Sequence, residues 1–249
     1  MNDQQVILIP ARLASTRLPR KPLADIAGMP MIVQVWYRAM EAKCGRVVVA
    51  AAEAEIVNAV MSAGGEAVLT DPDLPSGTDR IHQALEHIDP DGAYQRIVNL
   101  QGDLPTLEPA LIRRVLEVLG DNDMATLVAE ITEAGERGDP NVVKAIVSLQ
   151  TASSGRALYF TRATAPTGEG PLYHHIGIYA YQRAALANFV SMPPSVLEQR
   201  ERLEQLRALE AGMSIGVACV DTVPVGVDTP QDLELANRIL TGHSGLKGN

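Results

Sequence analysis

The first 131 residues alternate short apolar runs with longer segments in which apolar positions recur every three or four residues. That alternation predicts an α/β fold with a mostly parallel sheet flanked by helices. The apolar runs place strands near 6–9, 46–50, 66–69, 97–100 and 124–131, and amphipathic spacing places helices near 30–43, 53–63, 77–88 and 108–119. Gly45, the Gly64-Gly65 pair and Gly120 stand just beyond three of these helices, where stop signals belong. After residue 131 the rhythm changes. Runs at 142–147, 157–160 and 176–181 predict strands with few helices between them, and 163–172, rich in Pro, Gly and Thr, predicts a mobile loop. The stretch 195–211 predicts one helix with Leu203, Leu206 and Leu209 on one face and Glu198 four residues before Arg202. A strand at 215–220 and a closing helix at 230–240, with proline in its first turn, complete the pattern. The expected organisation is one domain over 1–241 with 142–211 as a smaller subdomain, followed by a disordered tail at 242–249.

Composition narrows the class. Of 249 residues 46% are hydrophobic, enough for a substantial core, while only 4% are aromatic, so aliphatic packing dominates. No apolar run approaches the roughly 20 residues of a membrane helix. The start Met1-Asn2-Asp3-Gln4-Gln5 is polar and does not read as a signal peptide. Two cysteines, Cys44 and Cys219, make no disulfide framework; reduced and buried thiols are expected, which favours a cytoplasmic protein. A formal charge of −9 argues against a nucleic-acid binder, which needs an extended basic face.

Against that acidic background the loop after the first strand stands out. Arg12, Arg17, Arg20 and Lys21 fall there with no acidic residue before Asp25. Ligands of α/β sheets bind beyond the carboxyl ends of the strands, and Arg and Lys are the usual partners of phosphate. Ala14 and Ser15 are small enough to let backbone N–H groups approach such a ligand. A solvated basic loop is the alternative.

Asp103 follows the strand at 97–100 and stands where a metal would be held; Asp228, in Gly-Val-Asp-Thr-Pro before the last helix, offers a second carboxylate. Magnesium favours one or two carboxylates with substrate phosphates and waters completing its octahedron. Turn formation and helix capping are the competing roles of these two residues. Ser76-Gly77-Thr78-Asp79-Arg80 opens a helix and supplies free N–H donors. His175 and Tyr179 are four apart on a predicted strand and share a face, with His174 on the other. Nucleophilic hydrolase and dinucleotide readings fail: there is no Gly-x-Ser-x-Gly and no Gly-x-Gly-x-x-Gly, and the five histidines lack zinc spacing.

Pro10-Ala11-Arg12-x-x-Ser15-Thr16-Arg17-Leu18-Pro19-x-Lys21-Pro22-Leu23 resembles the opening motif of the acidic-sugar cytidylyltransferases, and most of all the branch that activates 3-deoxy-manno-octulosonate (Kdo). The likeness continues in order through Ser76–Arg80, Asn99-Leu100-Gln101-Gly102-Asp103, His175–Tyr179, Leu203–Arg207 and Gly226–Pro230. It implies a Rossmann-like nucleotidyltransferase fold with a smaller sugar-binding and dimerisation subdomain, and CMP transfer from CTP to Kdo with release of pyrophosphate. On that resemblance Arg12, Arg17 and Lys21 hold the CTP phosphates, with Ser15 beside them. Ser76, Gly77, Thr78 and Arg80 read the base, and Gln101, His175, Tyr179, Glu204 and Gln205 form the sugar pocket. Asp103 and Asp228 would ligate Mg²⁺, and a homodimer would form through 142–211. Three positions depart from the pattern: Arg20 where glycine is expected, Leu104 where an acidic residue is common, and Ala51-Ala52 in place of Thr and Asp. The rival functions are the same transfer to 8-amino-Kdo or a sialic acid, a transferase using a finished nucleotide sugar, and a nucleotide-binding regulatory module without catalysis.

Overall fold

A computed structural model describes residues 4–15 and 17–244. In chain order it runs β1 (Gln5–Ala11), a 3-10 turn (Lys21–Leu23), β2 (Asp25–Ile26), β3 (Met29–Pro30), α1 (Met31–Glu41), β4 (Arg46–Ala51), α2 (Ala54–Ser62), β5 (Ala67–Leu69), α3 (Gly77–Ile88) and β6 (Arg96–Leu100). There follow α4 (Pro109–Leu119), β7 (Met124–Glu130), α5 (Ala134–Gly138), β8 (Lys144–Leu149), β9 (Ser154–Thr161), β10 (Tyr173–Gln182), α6 (Arg183–Ser191), α7 (Val196–Glu201), α8 (Leu206–Glu210), β11 (Ile215–Val220) and α9 (Pro230–Ser244). The chain divides into two compact units, one of Met1–Tyr94, Val98–Ile112 and Pro224–Asn249, the other of Gln95–Ile97 and Arg113–Val223. The second unit contains the whole of 142–211 and extends well beyond it at both ends.

In the first unit the strands lie in the order β5-β4-β1-β6. β1 runs parallel to β4 with Ile9 opposite Val49, and β4 runs parallel to β5 with Val49 opposite Ala67. Residues Val6 to Ile9 are fully buried, as a strand covered on both faces requires. α1 turns Met31, Ile32, Val35, Trp36 and Ala39 inward at helical spacing, and α2 does the same with Ile56 and Val60. A separate small core of Ile26, Met31, Val227, Ala236 and Leu240 seats α9, with Leu18 packed against it. That core anchors both the basic loop and the segment carrying Asp228.

The second unit is mixed rather than parallel. Its strands follow the order β10-β7-β11-β9-β8, and β8 also pairs with β10, so the five pairings close into a ring. Only β11 and β7 are parallel here; β10–β7, β11–β9 and β8–β9 are antiparallel. The short connection between β8 and β9 permits no crossover, and two strands joined that way pair antiparallel.

Several local expectations change. The helix expected over 195–211 is two helices, because Arg202 takes a left-handed conformation (φ 57°) after α7. Glu198 consequently pairs not with Arg202 but with Arg207, whose Nε and Nη2 donate to its two carboxylate oxygens at 2.8 and 2.5 Å. α6 has no counterpart in the sequence reading: it is nine residues long, follows β10 directly and has no side-chain cap. α9 runs through Ser244, so the tail expected from residue 242 is helical at its start, and 245–249 lie outside the described residues. The segment 163–172 holds neither helix nor strand. Both cysteines are free and half-buried rather than buried.

Candidate active site

β1 ends at Ala11, and the basic loop starts at once. In the first unit that loop, the start of α3 and the end of β6 line a cleft of about 440 Å³. Arg12, Ser15, Arg17 and Lys21 lie along it, with Ser76, Gly77 and Arg80 from α3 and Gln101 and Asp103 from beyond β6. Gly102 is required for the approach: a Cβ there would stand 2.8 Å from the Pro10 carbonyl oxygen. The loop is held from outside by Glu53, whose carboxylate accepts from the Leu13 N–H at 3.0 Å.

The two aspartates predicted as metal ligands meet at one ammonium. Lys21 Nζ donates to Asp103 Oδ2 at 2.8 Å and to Asp228 Oδ1 at 2.9 Å, and Arg17 pairs with Asp228 Oδ2 at 3.0 Å. Burial lowers the Lys21 pKa, but Asp103 and then Asp228 more than offset it, so the ammonium is held above its ordinary value. Backbone geometry brings the carboxylates together. The Val227 N–H donates to the Asp103 carbonyl at 2.9 Å, and Val227 itself is fully buried in the small core.

Asp232, which the sequence reading missed, completes the arrangement. Its carboxylate accepts from the N–H groups of Asp228 (3.1 Å) and Thr229 (2.8 Å), and Thr229 Oγ1 accepts from the Asp232 N–H at 3.2 Å. Burial pushes the Asp232 carboxyl up, and the Thr229 hydroxyl, which donates to it at 2.8 Å, together with the two backbone N–H groups outweighs that, leaving the pKa lowered. The signal was present in Thr229-Pro230-Gln231-Asp232, a capping-box pattern. Two carboxylates beside open space are a donor set that suits a hard divalent cation completed by phosphates and waters. Among the described residues no group of three or more His, Cys, Asp or Glu could hold a metal without such help.

α3 meets the cleft through its cap. Ser76 Oγ accepts from the N–H groups of Thr78 and Asp79 and donates to Asp79 Oδ2 at 2.6 Å, so this hydroxyl is committed to the helix start. Thr78 is buried and does not line the cleft. Arg80, also buried, donates to Thr70 Oγ1 at 2.6 Å and to the Asp71 carbonyl at 2.9 Å, which fixes the 70–77 loop over α3. Burial, partly offset by Glu53, lowers its pKa. Gln101 donates to Asn99 Oδ1 at 3.1 Å, leaving its carbonyl oxygen toward Gly77.

The departures from the family pattern find local reasons. Arg20 adopts φ 57°, a conformation that favours glycine, and pairs with Glu55 on α2. Leu104 is buried against Gly226, where a charge would be desolvated. Ala51 and Ala52 are both buried at the end of β4.

The other predicted residues assemble within the second unit. His175 and Tyr179 meet at a tilt of 45° with ring centroids 5.5 Å apart, and Phe160 meets His175 edge-on at 4.9 Å. The β10–β7 register shifts between Ile176 and Tyr179 by two extra residues, an even number, so the shared face survives. Burial, and then Glu204, raise the Tyr179 phenol. Gln205 is buried, and its Nε2 has no hydrogen-bond partner among the described residues. A buried donor left open in this way is a mark of a ligand position. Arg207 packs its guanidinium 4.7 Å from the Phe189 ring, supporting α8 beneath Gln205.

Burial, reinforced by His174, pushes the His175 pKa down to about 3. The unfolded chain then binds a proton below about 6.5 that the folded chain does not, so folded stability falls as pH drops from there toward 3. Between pH 7 and pH 5 this one group is expected to remove about 2 kcal/mol. Urea unfolding of the wild type and His175→Gln at both pH values reads it: the wild-type loss exceeds the variant's by that amount. Equal losses would place the pH dependence elsewhere.

A parallel α/β unit with a cationic loop beyond its first strand, a cleft lined by that loop and Asp103, and a second carboxylate, Asp228, on the same lysine defines a nucleotidyltransferase. The sequence model of a family described as cytidylyltransferase matches residues 6–215. A 3-deoxy-manno-octulosonate cytidylyltransferase of Parvibaculum lavamentivorans is 67% identical over 241 residues, covering 96% of this chain and 93% of that one. One from Rhodospirillum rubrum is 64% identical over 239 residues, covering 94% and 95%. A solved structure of CMP:2-keto-3-deoxy-manno-octonic acid synthetase complexed with CTP superposes with a TM-score of 0.89 at 37% identity, over 97% of this chain and all of that one. The chain belongs to the cytidylyltransferase family. No helix among the described residues is long and apolar enough to cross a membrane.

Proposed function

We infer that this protein transfers CMP from CTP to the anomeric hydroxyl of Kdo, releasing pyrophosphate, in the service of lipopolysaccharide synthesis. The observation that carries the reading is the meeting of Asp103, Asp228, Lys21 and Arg17 at the mouth of the first strand. The names of its relatives supply the substrates. The sugar oxygen attacks the α-phosphorus in line, the bond from that phosphorus to the bridging oxygen breaks, and the hydroxyl proton is lost to solvent. Arg12, Arg17 and Lys21 bind the phosphates and take up the charge that grows on the departing pyrophosphate. Asp103 and Asp228 would hold Mg²⁺, which when bound neutralises charge on the phosphates and helps orient the reacting oxygens. His175, Tyr179, Glu204 and Gln205 bind the acid sugar, with the open Gln205 donor as support.

Pyrophosphate release, followed across the four nucleoside triphosphates and a panel of acid sugars, tests this reading. CTP with Kdo should give pyrophosphate and CMP-Kdo in equal amounts. Release without an acid sugar, or equal use of ATP or GTP, would overturn it, and a preference for 8-amino-Kdo or a sialic acid would reassign the acceptor. The proposal includes a homodimer formed through 142–211 and a cytoplasmic setting; a monomer in sedimentation or recovery outside the cytoplasmic fraction would remove them.

A further inference from the structure

Thr126 lies in the middle of β7 between Ala125 and Leu127, with no exposed surface. Its hydroxyl stands 2.8 Å from the Ile178 carbonyl oxygen, 3.1 Å from that of Ile176 and 3.1 Å from His175 Nε2. Carbonyl oxygens only accept, and an O···O separation of 2.8 Å requires a hydrogen between the atoms. The single hydroxyl proton therefore points to the carbonyls, and the oxygen's lone pairs face the ring. His175 Nε2 then carries a hydrogen and donates it to Thr126 Oγ1. In a neutral imidazole this leaves Nδ1 unprotonated, an acceptor with no hydrogen bond among the described residues. One of these carbonyls opens the bulge between Ile176 and Tyr179 and the other lies within it, so one hydroxyl holds both the ring and the backbone that presents it.

We propose that Thr126 is a positioning residue for the acid sugar, holding His175 in its Nε2–H tautomer so that Nδ1 is the acceptor of a sugar hydroxyl. The proposal rests on the reading of His175 as a sugar ligand. A valine at 126 keeps the shape of threonine but removes the acceptor, which frees the ring to adopt the opposite tautomer and offer a donor instead. Contacts with Phe160 and Tyr179 keep the ring in place, so the ring loses hydrogen-bond polarity more than packing, while the Ile176 and Ile178 carbonyls lose their shared donor.

The test combines steady-state kinetics with long-range ¹H–¹⁵N correlation of the imidazoles in wild type, Thr126→Val, Thr126→Ser and His175→Ala. In the wild type, His175 is expected to show a protonated Nε2 and an unprotonated Nδ1. Thr126→Val should raise the Kdo KM about tenfold with the CTP KM within about twofold and mix the tautomers, whereas Thr126→Ser should restore both toward wild type. A wild-type ring protonated at Nδ1 overturns the proposal, and it does so even if the valine variant does not fold. An unchanged Kdo KM in Thr126→Val together with a raised one in His175→Ala overturns the proposal alone. A Kdo KM and a kcat both unchanged in His175→Ala overturn the reading beneath it.

Discussion

Asp103→Asn and Asp228→Asn are each expected to lower turnover by about 10²–10³-fold, with the fold retained. An amide is uncharged and a poorer ligand for a hard cation. Both aspartates are also partners of Lys21, and each substitution leaves that ammonium the other carboxylate, so the folded state keeps a counter-ion for a mostly buried charge. Circular dichroism and melting curves monitor the fold while pyrophosphate release monitors the reaction. Chelation should abolish wild-type activity and added Mg²⁺ should restore it. A fully active Asp103→Asn protein would return Asp103 to a turn-forming role, and activity that survives chelation would remove the metal from the proposal.

The second large effect separates nucleotide handling from sugar handling. Lys21→Ala should depress kcat/KM for CTP by about 10²-fold or more whatever the acceptor, because it removes a phosphate partner and leaves two neighbouring carboxylates to repel each other. Arg17→Ala should act in the same direction more weakly, since its side chain is more exposed. Tyr179→Phe and His175→Ala should instead raise the Kdo KM or lower kcat by roughly 5- to 150-fold with little change in CTP affinity, the cost of one polar partner in a hydrogen-bonding pocket. Kinetics with each substrate varied at saturating partner read the split. Lower melting temperatures with unchanged sugar kinetics in the last two variants would show that those rings serve packing alone.

Much of this architecture could be read from the order of residues. Strands β1, β4, β5, β6 and β7 and helices α1 to α4 fall within a few residues of the positions that hydrophobic period assigns them. Each is a local matter, because burying a run on both faces or a stripe on one is decided over five to fifteen neighbours. Ser76 and Ser195 announce their helices by the same local logic of unpaired N–H groups at a helix start. The basic loop was legible as a charge anomaly in an acidic chain, and Arg20 as a departure whose partner, Glu55 on α2, only the folded chain brings to it.

Sequence by itself determined the alternating elements, the caps, and the clustering of cations beyond the first strand. Tertiary structure alone decided that Lys21 stands between Asp103 and Asp228, residues 125 positions apart, because a buried Val227 and one backbone hydrogen bond bring them together. It decided that 195–211 breaks at Arg202, since the paired charges of Glu198 and Arg207 meet only when the chain turns. It also closed β8 onto β10 and set Thr126 against His175 across β7 and β10. Local period carries no information about which distant strand will be a neighbour. Pairing partners, registers and the polarity of a buried hydroxyl are set by packing between segments far apart in the chain, and that is where the chemistry of this protein is assembled.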